Sequence, residues 1–140
     1  MLTERQKKEI NRAEVEQFIR FLTGSLNSQI HWQWFDDQKR GRVVPGNSYG
    51  SISEKWNELV SLNEEGAGIF VTINQTDGIK RKAENINYIR SIFVDLDGAP
   101  LVMLKKCPIK FHLLVESSRG RYHAYMKIKP IPVNANTTEV

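Results

Sequence analysis

The sequence predicts a single domain of mixed class, α/β in the broad sense and α+β in its details, in which helices flank a sheet. Apolar residues recur at helical spacing in two segments of the N-terminal half, whereas several other segments alternate apolar and polar residues as strands do. The composition, 40% hydrophobic and 26% charged over 140 residues, is typical of one soluble globular domain. We therefore expect one domain over 1–140, with residues 131–140 as a loose tail.

The first element is a helix. Thr3 and Gln6 have the spacing of a capping box, and Gly24 is a plausible stop. Between them, apolar residues follow at helical intervals: Val15, Phe18, Ile19 and Leu22. A strand follows in "IHWQWFDD", where Ile30, Trp32 and Trp34 alternate and predict a face buried in the core.

Residues 39–50 are expected to form a loop. Ser51 and Glu54 then have capping-box spacing for a second helix that ends near Gly66. The buried positions of this helix are expected to be Ile52, Trp56, Leu59 and Val60. The stretch "GIFVTIN" that follows predicts a strand.

The C-terminal half begins with a basic loop, "QTDGIKRKAEN". The stretch "NINYIR" resembles a short helical turn, and it leads into an apolar strand, "SIFVDLD". Further on, "FHLLVESSRGRYHAYMKI" contains two strand-like runs separated by a turn at Gly120, which indicates a hairpin.

Charge is distributed unevenly along the chain, whose net charge is +4. Residues 1–77 contain 9 Lys and Arg against 11 Asp and Glu, whereas residues 78–140 contain 11 against 5. A basic half favours a polyanionic partner such as single-stranded nucleic acid. The cluster Lys80, Arg81 and Lys82 is the candidate contact, and a solvated turn is the equally simple alternative.

Two carboxylates, Asp95 and Asp97, end the strand "SIFVDLD". Residues two apart on a strand share a face. Anions held so close repel each other unless a cation lies between them, so the pair predicts a metal site.

The second strand of the hairpin is expected to place alternate residues on two faces. One face would carry Arg121, His123, Tyr125 and Lys127, a set suited to binding a triphosphate through charge-assisted hydrogen bonds. If this hairpin packs beside the strand of Asp95, cations and carboxylates face one cleft. Such a cleft is what nucleotidyl transfer requires, with two divalent ions and basic side chains around the phosphates.

Three segments, "GIFVTIN", "IRSIFVDLDG" and "VESSRGRYHAYM", resemble in order and spacing the plasmid and phage RepB-like primases of the archaeo-eukaryotic primase, or primase-polymerase, superfamily. The resemblance covers roughly residues 13–129. It implies a catalytic core with an RRM-like sheet and primer synthesis from nucleoside triphosphates on a single-stranded DNA template. It also implies Mg²⁺ or Mn²⁺ at Asp95 and Asp97, a nucleotide contact at His123 and a phosphate contact at Arg121.

The chain departs from the family pattern in two places. Met126 stands where the family usually has tryptophan, which changes packing. The family also has a third carboxylate on a strand some tens of residues after the histidine, whereas the only carboxylate here after His123 is Glu139. The "ESS" glutamate, Glu116, is not that ligand in the family. We therefore expect an incomplete domain with weak or no synthesis by itself, from a truncated gene or a degenerate relative.

Two other functions remain open. "FVDLDGAPL" is also similar to the first motif of haloacid-dehalogenase-type phosphatases, but Ala99 and Pro100 follow the glycine, and little chain remains for that family's later motifs. A nucleic-acid-binding or nucleotide-binding module of replication without catalysis is the stronger alternative. A helicase or replication initiator is an expected partner of both a primase domain and a non-catalytic replication module.

Cellular location is predicted from what the sequence contains near its start and from its cysteine usage. Cys107 is the only cysteine, so no intrachain disulfide can form, which fits a reducing cytoplasm. The N-terminus is charged where a signal peptide is apolar, and no apolar run approaches the roughly 20 residues of a membrane span. We expect a cytoplasmic protein without a membrane partner.

Overall fold

A computed structural model describes residues 4–37, 39, 41 and 43–133. Three helices and seven strands lie within these ranges, with a 3₁₀ turn at Ala83–Asn85. The helices are α1 (Glu4–Thr23), α2 (Ile52–Glu64) and the single turn α3 (Val102–Lys105). The strands are β1 (Ile30–Asp36), β2 (Gly46–Gly50), β3 (Ala67–Val71), β4 (Gln75–Thr76), β5 (Ile86–Asp95), β6 (Leu113–Ser118) and β7 (Arg121–Pro132).

The strands form two antiparallel sheets. The first sheet has the order β2-β1-β3, and the second has the order β4-β5-β7-β6. Helices flank the sheets, so the predicted α+β class is confirmed. The predicted hairpin is also confirmed, as β6 and β7 pair antiparallel around a turn at Gly120, where φ is 78°.

The core lies on the inner face of the first sheet, between that sheet and the two long helices. Ile30 and Trp32 on β1 are 0% and 2% exposed. They pack with Ile19 of α1 and with Ile52 and Leu59 of α2. The prediction for this face of β1 is confirmed for Ile30 and Trp32, whereas Trp34 is half-buried and His31 on the opposite face is buried as well.

Helix α1 ends where the sequence predicts. Gly24 has a φ of 82°, a left-handed conformation that glycine adopts without a steric penalty, and its N–H donates to the carbonyl of Arg20. Thr3 of the predicted capping box lies outside the described residues. The helix also reaches the second sheet, because the ring of Phe18 meets the ring of Tyr125 edge-on at 5.2 Å.

Helix α2 begins with the capping box that the sequence predicts. The Ser51 hydroxyl accepts from the Glu54 N–H, and the Glu54 carboxylate accepts from the Ser51 N–H, both at 3.3 Å. We expect Ser51→Ala to lower the free energy of unfolding by about 1 kcal/mol, because one N–H at the helix start loses its acceptor. Urea denaturation checks this, with the exposed Ser53→Ala as control. Equal midpoints for the two variants would contradict a stabilising cap.

Three sequence predictions are wrong in part. The loose tail expected over residues 131–140 begins later, because Ile131 and Pro132 still belong to β7 and pair with β5. Residues 46–50, predicted as loop, form β2 instead. Each residue of β2 has a partner on β1, in the part of β1 from Ile30 to Trp34. A side chain at position 46 would lie 2.8 Å from the Trp34 ring, so the close pairing needs Gly46. Residues 86–90, predicted as a helical turn, are the start of β5 and pair with β4 and with the end of β7.

Within the described residues, none of the helices combines the length and the apolar character that crossing a lipid bilayer requires.

Candidate active site

The centre of the candidate site is a cross-strand pair on the second sheet. β5 and β7 are antiparallel neighbours, and their register places Asp95 directly opposite His123. The His123 Nε2 lies 3.5 Å from the Asp95 Oδ1. The hairpin therefore does pack beside the strand of Asp95, as the sequence analysis supposed, and a carboxylate and an imidazole share one face.

The second carboxylate is placed differently from the sequence expectation. β5 ends at Asp95, and Asp97 lies in the following turn with a φ of 45°. The Asp95 Oδ1 accepts from the Asp97 N–H at 2.9 Å, a turn in which an Asp side chain replaces a backbone acceptor. Asp97 is therefore not on the strand face. The contact that joins the two residues is this hydrogen bond from the Asp97 backbone to the Asp95 carboxylate.

Tyr125 orients His123. The Tyr125 hydroxyl lies 3.2 Å from the His123 Nδ1, and the tyrosine is only 5% exposed. Burial, and secondly the negative charge of Asp95, raises the pKa of Tyr125, so the phenol keeps its proton. We infer that the hydroxyl donates to Nδ1, which leaves the proton of a neutral imidazole on Nε2, on the side of Asp95.

The ring of Phe93 packs against both His123 and Tyr125. Phe93, two residues before Asp95, stacks on Tyr125 with centroids 5.5 Å apart and lies 6.1 Å from the His123 ring. Phe93 is 45% exposed, so part of its ring is an apolar surface next to the Asp95 carboxylate. The sequence analysis missed this residue. The available signal was its position two before Asp95, which puts it on the same strand face.

The predicted polar face of β7 is exposed at Arg121 and Lys127 and covered between them at Tyr125. Arg121 is exposed and begins the strand two residues before His123, so it extends the site on the same side. Tyr125 is covered by Phe18 of α1. The exposed part of this face that lies beside Asp95 is the end with Arg121 and His123.

The donor set was tested for the metal that the family resemblance implies. Among the described residues there is no group of three or more His, Cys, Asp or Glu side chains arranged to hold a metal ion. Glu116 pairs with Tyr122 and so faces the other side of the sheet, and its Oε1 accepts from the Gly120 N–H in the hairpin turn. Glu139 lies outside the described residues. Mg²⁺ is commonly held by one or two carboxylates with several waters, so the exposed Asp95 and Asp97 are the two residues from which a hydrated site could be built.

The predicted nucleic-acid contacts lie in the segment between β4 and β5, and this segment contacts the first sheet through Arg81. Arg81 is partly buried and donates to the side-chain oxygens of Gln33 on β1 and of Thr72, and desolvation lowers its pKa. Lys80 and Lys82 on either side are exposed. Arg81 is therefore anchored to the first sheet, and a fully solvated turn does not describe it. The structure does not bring these three residues to Asp95 and His123.

Comparison of the chain with protein-family models, with curated proteins and with solved structures found no match.

Proposed function

We propose that this chain is a DNA primase/polymerase-type nucleotidyltransferase domain that acts on single-stranded DNA in plasmid, phage or mobile-element replication. The observation that carries the proposal is the register of β5 and β7, which puts Asp95 of the D-x-D motif opposite His123 of the "RYHAY" motif. Two motifs separated by more than 20 residues in the sequence thus meet at one end of a sheet face, and the exposed Arg121 lies on that face.

The residues divide into two groups by their chemistry. Asp95 and Asp97 would hold Mg²⁺ or Mn²⁺, which supplies charge stabilisation for phosphoryl chemistry when bound. His123 and Arg121 carry the hydrogen-bond donors that suit the phosphates of a nucleoside triphosphate. In the neutral His123 the donating proton is on Nε2, which the Tyr125 hydroxyl favours by occupying Nδ1. Phe93 and Tyr125 hold the imidazole plane in place.

Nucleotide binding tests this proposal. We expect a fluorescent nucleoside triphosphate to bind in the presence of Mn²⁺, and His123→Ala to weaken it about tenfold, the effect of losing one charge-assisted hydrogen bond. His112→Ala is the matched control, since this histidine belongs to the same hairpin but accepts from the Lys127 N–H. Equal affinity in wild type and His123→Ala, or an equal loss in the control, would refute the assignment of His123.

A non-catalytic nucleic-acid-binding module is the second candidate, and it predicts a different result. In that case His123→Ala leaves nucleotide binding unchanged, and single-stranded DNA binds without any requirement for Asp95. The exposed rings of Phe35 on β1 and Phe70 on β3 favour nucleic-acid binding under both candidates.

A further inference from the structure

The outer face of the first sheet is the side turned away from the core. Because directly opposed residues of antiparallel strands share a face, the register of β2, β1 and β3 assigns its members. This outer face consists of His31, Gln33 and Phe35 on β1, Asn47 and Tyr49 on β2, and Gly68 and Phe70 on β3. It is covered at His31, which is 2% exposed and bonded to Thr76 of β4. Large apolar rings on the solvent side of a sheet need an explanation, because burying them would be favourable.

Two phenylalanine rings form one end of the outer face. Phe35 and Phe70 meet edge-to-face with centroids 5.7 Å apart, and they are 43% and 49% exposed. Gly68 opposes Phe35 across the strand pair and adds no side chain. The side chain of Asp37 lies beside Gly68 and is the acidic group at this end.

Tyr49 forms the other end. It is 36% exposed and meets the ring of His31 edge-on at 5.7 Å. Its own ring packs so closely on Gly78 that a side chain there would lie 2.9 Å away. His31 is fixed in turn by hydrogen bonds of 2.8 Å to Thr76 and 2.9 Å to Asn47. Tyr49 is therefore a ring held in a preset orientation.

Positive charge lies between and beside these rings. The Arg81 guanidinium crosses the middle of the outer face, bonded to the neutral side chains of Gln33 and Thr72. Lys80 and Lys82 extend from the same segment into solvent. The nearby Asp77 is engaged by the Asn85 side chain and the Ile79 N–H. Rings at both ends with cations between them are what successive bases and phosphates of a single strand require.

We propose that the outer face binds single-stranded nucleic acid, with bases stacked on Phe35, Phe70 and Tyr49 and with phosphates along Lys80 to Lys82. His31, the partner of Tyr49 on β1, is four residues from Phe35. At the usual strand rise this separates the two ends of the outer face by about 13 Å, a span of roughly two or three nucleotides. This proposal concerns the single strand named in the proposed function, but it uses none of the residues around Asp95. It is therefore tested without nucleotide or metal.

The test is fluorescence anisotropy of a labelled twelve-nucleotide oligo(dT), titrated at several salt concentrations. We expect the double variant Phe35→Ala/Phe70→Ala to bind at least tenfold more weakly at every salt concentration, because stacking on both rings is lost. We expect Lys80→Gln/Lys82→Gln to reduce the slope of log affinity against log salt by about 1.4, because two phosphate contacts to a single strand are lost. Tyr88→Ala is the matched control, an aromatic residue that is 40% exposed on the second sheet.

Three results would overturn the proposal. The first is oligo(dT) affinity unchanged in Phe35→Ala/Phe70→Ala, and the second is an equal loss in Tyr88→Ala. The third is self-association of the wild type in sedimentation that the double variant abolishes while oligo(dT) binding persists, which would make the outer face a contact between copies. Failure of nucleotide binding at His123 alters none of these outcomes, so the two proposals fail separately.

Discussion

Exchange of both carboxylates, in Asp95→Asn/Asp97→Asn, is expected to abolish binding of Mn²⁺. Asparagine keeps the side-chain oxygen that accepts from the Asp97 N–H, so the turn after β5 is retained while the charge is lost. The wild type is expected to bind the ion weakly, since two exposed carboxylates leave much of its shell to water. Isothermal titration with Mn²⁺, or the loss of its free electron paramagnetic resonance signal, measures this.

Glu116→Gln is the control for that experiment. Glu116 is a carboxylate on the strand next to β7, but it faces the opposite side and serves the hairpin turn through the Gly120 N–H. We expect this variant to bind Mn²⁺ as the wild type does. Equal affinity in the wild type and the Asp95/Asp97 variant, or a loss caused by Glu116→Gln, would show that the ion binds elsewhere.

The same variants extend to catalysis. Nucleotide incorporation on a single-stranded template in Mn²⁺ is expected to be slow in the wild type, since the described residues contain no group of three or more side chains arranged to hold a metal ion. It should fall at least 100-fold in Asp95→Asn, since misplacement of reacting groups by about 1 Å already costs that much. Incorporation that survives Asp95→Asn would argue against the proposed nucleotidyl transfer.

Local signals were enough to predict several elements. The capping box of α2 and the glycine stop of α1 lie within a few residues of the backbone groups that they satisfy, so the sequence shows both partners together. The alternation of Ile30 and Trp32 likewise shows which face of β1 is buried. In each case the physical cause is contained in a window of a few residues.

Features set by distant pairing could not be predicted. β2 contains the sequence "GNSYG", which has little strand preference, and it is a strand because β1 pairs with it. Phe35 and Phe70 share the outer face only through the register of β1 with β3. At the candidate site, the motif identified Asp95 and His123, but their 3.5 Å approach depends on the same kind of long-range register.

Arg90 is the clearest case of a residue whose role the sequence hides, since arginine is usually exposed. It is only 7% exposed, and burial lowers its pKa. Its Nε donates to the Ile73 carbonyl at 2.7 Å and a terminal nitrogen to the Thr72 carbonyl at 3.4 Å. The Asn74 side chain accepts in return from the N–H groups of Arg90 and Ser91. These bonds fasten the segment after β3, in the first sheet, to β5 in the second.

We expect Arg90→Met to lower the free energy of unfolding by about 3 kcal/mol. Methionine fills much of the volume but leaves two buried carbonyls without a donor, and hydrogen bonds to a charged group contribute about 1.5–3 kcal/mol each. Removing the guanidinium also removes the free-energy cost of burying its charge, and this gain offsets part of the loss of hydrogen bonds. The expected destabilisation is therefore at the lower end of the summed contributions of the two bonds. Chemical denaturation measures the change, with the exposed Arg119→Met as the matched control.

Asn74→Ala distinguishes the hydrogen bonds of the Asn74 side chain from those of the Arg90 guanidinium. It removes the acceptor at the irregular pairing between Ile89 and Ser91 while the guanidinium stays in place. We expect it to be destabilising but less so than Arg90→Met, because its bonds come from neutral N–H groups. If Arg90→Met is as stable as Arg119→Met while Asn74→Ala is not, the desolvation cost of the guanidinium cancels its hydrogen bonds. The two sheets are then joined at this point by the asparagine and not by the arginine.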